Sequence, residues 1–265
     1  IDRDIIKFDF LTNRDYRAAY EDEIEQLGGK IYHMCPMYPK YFRQYKKEVY
    51  NFLTEHPEYK IVHSNLEERS YFPLKEAKKA GVPVRISHSH NRPLGVDLKL
   101  IMRYYFRFML KYYNTHMFAC GVEAGDWLYG KKNRNNVIIM KNAIDANLYR
   151  YNEETQNRMR EELGISGKKV IGHVGRFFPQ KNHTFLIDIF KAVHDRDKDT
   201  ELLLVGGGEA DDALKNQIRD KVKNLGLEDS VKFLGVREDV EKVVQAFDVF
   251  LLPSLFEGLP VTMVE

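Results

Sequence analysis

Pro253-Ser-Leu-Phe-Glu-Gly-Leu-Pro-Val-Thr-Met-Val-Glu265 carries two carboxylates, Glu257 and Glu265, separated by seven residues. The apolar run Val249–Leu252 before it reads as a buried strand. Gly258 and Pro260 then force a tight turn, and Thr262 can open a helix. Glu257 is therefore expected on the loop at a strand's carboxyl end, and Glu265 in the first turns of the next helix. Open α/β sheets bind ligands in that crevice. Two carboxylates placed there suit bidentate hydrogen bonds to hydroxyl pairs, as on a sugar or ribose. A solvated loop Glu and a helix-start Glu favoured by the macrodipole would explain a bare pair equally well. Phe256-Glu257-Gly258-Leu259-Pro260 directly behind a buried strand is more specific.

Upstream, strand and helix signals alternate. Strands are expected at Ile6–Leu11, Ile31–Cys35, Lys60–His63, Val84–His88, His116–Cys120 and Val137–Met140. Helices fall at Tyr16–Leu27, Tyr41–His56, Tyr71–Ala80, Leu98–Tyr113 and Glu123–Tyr129. This is the pattern of a doubly wound parallel sheet. Polar residues dominate Tyr151–Lys169, which reads as the hinge. A second series follows, with strands at Val170–Val174, Glu201–Val205, Val231–Leu234 and Val249–Leu252. Two Rossmann-like domains, 1–150 and 151–265, are expected, with a ligand cleft between them.

Apolar content of 43%, charged content of 30% and a net charge of +2 suit an ordinary globular protein and give no global field for nucleic acid. Cys35 and Cys120 show no metal or disulfide spacing and read as reduced thiols in a cytosol. No apolar run is long enough to span a bilayer. Ile1 leads almost at once into an internal-looking strand, and Glu265 stops within an early helical turn, so both ends read as cut.

Six further segments bear on chemistry. Gly172-His173-Val174-Gly175-Arg176-Phe177 follows the first strand of the second domain, and Lys181 opens the next helix. Glycines let backbone approach a ligand, and a helix amino end beside Arg and Lys is an anion site. Gly206-Gly207-Gly208-Glu209 follows the next strand and is not the Gly-x-Gly-x-x-Gly dinucleotide fingerprint. In Leu234-Gly235-Val236-Arg237-Glu238-Asp239-Val240, Asp239 suits a helix N-cap. Ile86-Ser87-His88-Ser89-His90-Asn91 and Val62-His63-Ser64-Asn65 end neighbouring strands. Their histidines can donate to a hydroxyl and titrate near neutrality, although strand-end histidines are often structural. Lys99, Arg103, Arg107 and Lys111 recur every fourth residue beside many aromatics. That helix reads either as a sheet-covering helix with a solvated edge or as one lying on an anionic membrane.

Together these segments resemble the retaining glycosyltransferases of family 4, which have the two-domain α/β GT-B fold. The resemblance runs from Gly28-Gly29-Lys30-Ile31-Tyr32 through Glu265 and is strongest from Lys169 onward. It implies that Gly175, Arg176 and Lys181 hold the diphosphate of a nucleotide-sugar donor, more in keeping with UDP than GDP. Gly207 would lie near the nucleotide, and the Arg237 segment against the base. Glu257, with Gly258 and Leu259, would hold the donor sugar, and Glu265 the ribose. His88 is the first choice, and His90 the second, for the histidine touching the transferred sugar. His63, His90 and Asn142 would shape the acceptor side. The family's second histidine is replaced here by Asn65. In Met140-Lys141-Asn142-Ala143-Ile144-Asp145, Lys141 and Ala143 replace the family's Pro and Gly. The catalytic set is therefore His88, Arg176, Lys181 and Glu257.

The expected reaction moves a hexose-type sugar to a lipid-linked or growing glycan in cell-surface polysaccharide synthesis. It would run in the cytoplasm or at the inner face of the membrane, without cofactor. No Asp-x-Asp metal motif is visible, so no metal is assigned. The alternatives are a nucleotide-sugar epimerase and a non-catalytic nucleotide-binding module. The family's opening strand with its glycine-rich loop, and the rest of the second domain, are expected to lie outside 1–265.

Overall fold

The computed structural model describes residues 2, 5–18, 20–91, 99–207, 212–257 and 259–265, without the side chains of Lys99 and Asp212. Gly208, Glu209, Gly258 and Leu98, all invoked above, lie outside the described residues. The chain forms two compact units, Ile1–Lys141 and Asn142–Glu265.

The first unit runs β1 (Phe10–Thr12), α1 (Glu21–Gln26), β2 (Ile31–His33), α2 (Phe42–Glu55), β3 (Ile61–Ser64) and α3 (Tyr71–Lys79). It continues with β4 (Val84–Ser89), α4 (Lys99–Leu110), β5 (His116–Ala119), α5 (Val122–Tyr129) and β6 (Val137–Ile139). One sheet was expected, but two form. β1 pairs with β2, while β3-β4-β5-β6 make a separate four-stranded sheet, and all pairs are parallel. Tyr59 spans the two, since its hydroxyl meets Asp9 and lies 3.4 Å from the Tyr32 hydroxyl. The first strand and first helix are also shorter than the apolar pattern suggested. The core is built where α2 packs on α3, around Tyr45, Val49, Leu53, Phe72, Leu74 and Ala77.

The second unit runs α6 (Glu153–Glu162), β7 (Lys169–Val174), α7 (His183–His194), β8 (Thr200–Val205), α8 (Asp212–Asn224), β9 (Val231–Gly235), α9 (Val240–Val243) and β10 (Val249–Phe250). Its parallel sheet has the order β10-β7-β8-β9. β8 is buried along its whole length, as a central parallel strand must be. Period-two alternation sends Leu202 and Leu204 into one core with Ile187, Phe190 and Ile218. Leu203 and Val205 enter another with Met159, Val170 and Val243. Helices therefore cover both faces.

The boundary falls between Lys141 and Asn142, ahead of the expected 150/151. Hydrogen bonds explain the shift. Gln245 accepts from the Asn152 amide at 2.9 Å and donates to the Arg150 carbonyl at 3.0 Å. Arg160 donates to the Ala246 carbonyl and pairs with Asp248 at 2.7 Å. The polar stretch read as a hinge is thus laced to the α9–β10 region, and Asn152 caps α6 through the Thr155 amide.

The return of the chain to form β10 depends on a missing side chain. A Cβ on Gly172 would sit 2.1 Å from the Phe247 ring. Gly172→Ala is expected to cost about 2–3 kcal/mol by overpacking, read as a lower urea midpoint. Phe247→Leu in the same chain should recover part of that loss; an unchanged midpoint for Gly172→Ala would contradict this packing.

Candidate functional site

The order β10-β7-β8-β9 makes the gap between β7 and β10 a topological switch point. Beyond it, the chain leaves β7 toward one side and β10 toward the other, opening a crevice. The loops after β7 and β10 are joined there by several contacts. His173 Nδ1–H donates to the Leu251 carbonyl at 2.8 Å. The Leu255 amide donates to the Gln180 carbonyl at 2.9 Å, and Gln180 Nε2 donates to the Phe256 carbonyl at 2.8 Å. Lys181 Nζ lies 2.8 Å from Glu257 Oε1, with both side chains less than one-fifth exposed.

Glycine is needed where these loops approach. A Cβ on Gly175 would meet His173 Nε2 at 3.0 Å and Lys181 Cε at 3.3 Å. Gly206, at φ +122°, would place a Cβ 2.3 Å from the Gly175 carbonyl oxygen. Gly207 follows at φ +120° beside Phe177, so the glycine run after β8 packs against the loop after β7. Arg176 is exposed, with its guanidinium 5.3 Å from the Phe178 ring centroid. It enters no ion pair among the described residues.

Under this loop, His183 begins α7. It is 2% exposed, stacks on Phe177 with centroids 4.4 Å apart, and lies edge-on to His173 at 4.8 Å. Burial pushes its pKa down to about 3, so the ring is neutral and adds no repulsion beneath Lys181.

Four expectations change here. Arg237 forks onto Asp239, with both contacts at 2.7 Å, and also reaches Glu162 at 3.4 Å. Its charge is committed within the protein, which leaves that segment its backbone for a ligand. For the same reason Asp239, although at the N-cap position of α9, makes no side-chain cap. Asn142, expected on the acceptor side, belongs to the second unit, where Nδ2 donates to the Leu259 carbonyl at 2.7 Å. Thr262 sits in a single 3-10 turn, Val261–Met263, with the Glu265 amide donating to the Val261 carbonyl. Gly258 lies outside the described residues.

In the first unit, the ends of β3 and β4 gather three histidines. His63 Nε2 and His88 Nδ1 are 3.1 Å apart, their rings stacked at 18°. His88 and His90 have centroids 4.1 Å apart. His90 Nε2–H donates to Asn65 Oδ1 at 2.9 Å. Burial lowers all three pKa values, that of His88 to about 4, with the other two rings adding to it. His88 is only 4% exposed and its Nε2 is buried without a hydrogen-bond partner among the described residues. The first choice for a sugar contact is thus enclosed, whereas His90 is partly open to solvent and His63 is exposed.

Sequence reasoning missed Glu67. Its carboxylate accepts from the His90 amide at 2.9 and 3.2 Å and from Ser89 Oγ at 3.1 Å, and its backbone is held at φ +53°. That conformation is strained for a residue with a side chain. No spacing signals it, because its partners lie on the next strand. Gln180 escaped notice for the same reason.

The sequence model of the glycosyl transferases group 1 family matches residues 168–265. The putative glycosyltransferase EpsF of Bacillus subtilis (strain 168) is 34% identical over 271 residues, covering 100% of this chain and 70% of that protein. The UDP-Gal:alpha-D-GlcNAc-diphosphoundecaprenol alpha-1,3-galactosyltransferase of Escherichia coli is 28% identical over 132 residues, 49% of this chain and 33% of that one. Among solved structures, Anabaena Alr3699/HepE in complex with UDP and glucose superposes with a TM-score of 0.79 at 18% identity, over 95% of this chain and 75% of that one. That likeness shows the GT-B fold.

Burial raises the Glu67 carboxyl from its ordinary 4.5 to about 7, against the pull of its hydrogen bonds to His90 and Ser89. A carboxyl raised on folding stabilises the folded state fully below its unfolded pKa and loses that contribution as pH climbs through the folded one. Glu67→Gln removes this titration, while the histidine shifts act in both proteins and cancel. The melting-temperature advantage of wild type over Glu67→Gln should therefore shrink from about pH 5 to about pH 8. An advantage that grows with pH would contradict a protonatable Glu67.

Proposed function

The chain belongs to the group 1 glycosyltransferases, and from that premise we propose that it moves a hexose-type sugar from a UDP-sugar to a lipid-linked or growing glycan. The product would be a cell-surface polysaccharide, made in the cytoplasm at the inner face of the membrane, where an anionic lipid surface is a further partner. Configuration would be retained and no divalent ion required; both features rest on the family resemblance. The UDP choice is favoured by the E. coli relative, whose name carries UDP-Gal.

The observation that carries this reading is the Lys181–Glu257 pair at the switch point, beside an uncommitted Arg176. Breaking the anomeric C–O bond leaves negative charge on the departing diphosphate. Arg176, Lys181 and the amino end of α7 are the groups that would meet that charge. Before the donor arrives, Glu257 neutralises Lys181. Once a phosphate takes Lys181, Glu257 is free to accept hydrogen bonds from sugar hydroxyls. In the first unit, His90, His88 and His63 are read as the groups serving the transferred sugar and the acceptor.

Calorimetry with UDP and GDP, each with and without Mg²⁺, tests the donor assignment. UDP binding should be metal-independent and about tenfold or more weaker in Arg176→Ala, as expected for a lost charged hydrogen bond. Turnover of the same variant should fall by about 10²–10³. Normal turnover in Arg176→Ala, or no binding of either nucleotide, would sink the assignment.

A further inference from the structure

The cationic stripe expected along α4 is not the face this helix presents. Arg103 Nε lies 3.8 Å from Glu68, a buried carboxylate. Arg107 donates to the carbonyls of Leu128 at 3.1 Å and Asp126 at 3.4 Å, with its guanidinium over the Trp127 ring. Both arginines therefore act inside the first unit, holding α4 against α5 and the turn before α3. The side chain of Lys99 lies outside the described residues.

The outward face is apolar instead. Ile101, Tyr105 and Phe108, continued by Tyr112 just past the helix end, recur at the spacing of one helical face. Met102 widens the row. Ile101 is 77% exposed and Phe108 56%. Single exposed apolar residues are ordinary, but a contiguous row on one helix marks an interaction surface.

A basic rim closes the end of this row. The Lys111 ammonium sits 3.9 Å from the Phe108 centroid and 4.9 Å from that of Tyr112. Lys78 Nζ donates to the Tyr112 carbonyl at 3.0 Å and, like Lys75, lies 5.7 Å from the Tyr113 ring. None of these three lysines has a carboxylate ion-pair partner among the described residues. No Asp or Glu occurs between Leu98 and Val122. A cavity of about 300 Å³ opens beside Phe108 and Lys111, lined also by Tyr104, Asn114 and Asn133.

We infer that the outward face of α4 lies in the plane of an anionic lipid surface. Its apolar side chains enter the headgroup–acyl boundary, and Lys75, Lys78 and Lys111 meet lipid phosphates. Among the described residues no helix is long and apolar enough to cross a membrane, so α4 can only lie along one. A second copy of the chain fits less well, because self-complementary pairing of this face would bring two carboxylate-free basic rims together. The inference rests on the proposed work at a membrane, and it names the contact.

Flotation of the full chain with vesicles tests it. Binding is expected to vesicles of phosphatidylglycerol and phosphatidylcholine, and much less to phosphatidylcholine alone. Lys78→Glu with Lys111→Glu should weaken binding by about tenfold or more. Ile101→Asp with Phe108→Asp should abolish it, whereas Arg103→Gln should leave it within about twofold. Lys78, Ile101, Phe108 and Lys111 are exposed and Arg103 partly so, and circular dichroism checks that each variant is folded. UDP binding, measured on the same samples, should not change, which separates failure of this inference from failure of the donor reading. Full binding by the Ile101→Asp, Phe108→Asp variant would overturn the proposal. So would absence of binding to any vesicle, or a concentration-dependent dimer in light scattering that this variant abolishes.

Discussion

Phe247 lies across Gly172 because that residue has no side chain, and the switch-point end of the second unit depends on this fit. With the ring in place, the chain can return along β7 and pair Val249 with Ile171. Asp248 accepts from the Val170 amide at 2.7 Å, and His173 reaches Leu251. Together these contacts fix β10 on the side of β7 away from β8. The loops after β7 and β10 then emerge side by side, and residues more than seventy positions apart in sequence, Lys181 and Glu257, meet as an ion pair. Sheet order, rather than any single motif, converts two unremarkable loop residues into a site.

The histidines show how burial sets chemistry. His88 and His183 sit in apolar surroundings, edge-on to or stacked against Phe118 and Phe177. Desolvation disfavours the imidazolium, so both rings stay neutral where a solvated histidine would begin to titrate. In the second unit the charge beside the loop after β7 is then carried by Lys181 and Arg176 rather than by the histidines. In the first, Glu67 is itself raised, so the strand ends carry little fixed charge.

Strand and helix positions were largely legible in the sequence, since period-two and 3.6 patterns report which face of an element is apolar. β8 is the clearest case, with its ELLLV run buried on both faces. Tertiary partners were not legible. The sequence marks Arg237 as a donor-side residue but does not show that Asp239, two residues on, holds its guanidinium. The stripe containing Arg103 and Arg107 reads in sequence as either a solvated edge or a membrane-facing one, but Glu68 and the α5 carbonyls hold both arginines. Periodicity identifies that four cations share a face; it carries no information on whether that face meets water or protein. Glu67 escaped for a related reason, since its strained backbone and its bonds to His90 exist only once β3 and β4 are paired.

Under the proposed function, the Lys181–Glu257 pair would also make recognition conjunctive. A ligand that offers only a phosphate takes Lys181 but leaves Glu257 four-fifths enclosed without its cation, an arrangement that costs free energy. A ligand that offers only hydroxyls leaves Lys181 in the same difficulty. Only a molecule presenting both groups at the right separation repays both partners. The pair therefore discriminates against the two halves of such a molecule, including inorganic phosphate and free sugar, before any contact is made to the rest of it. Under the same proposal, a spent ligand that has lost its sugar half would be held less firmly than the intact one, which would favour its departure.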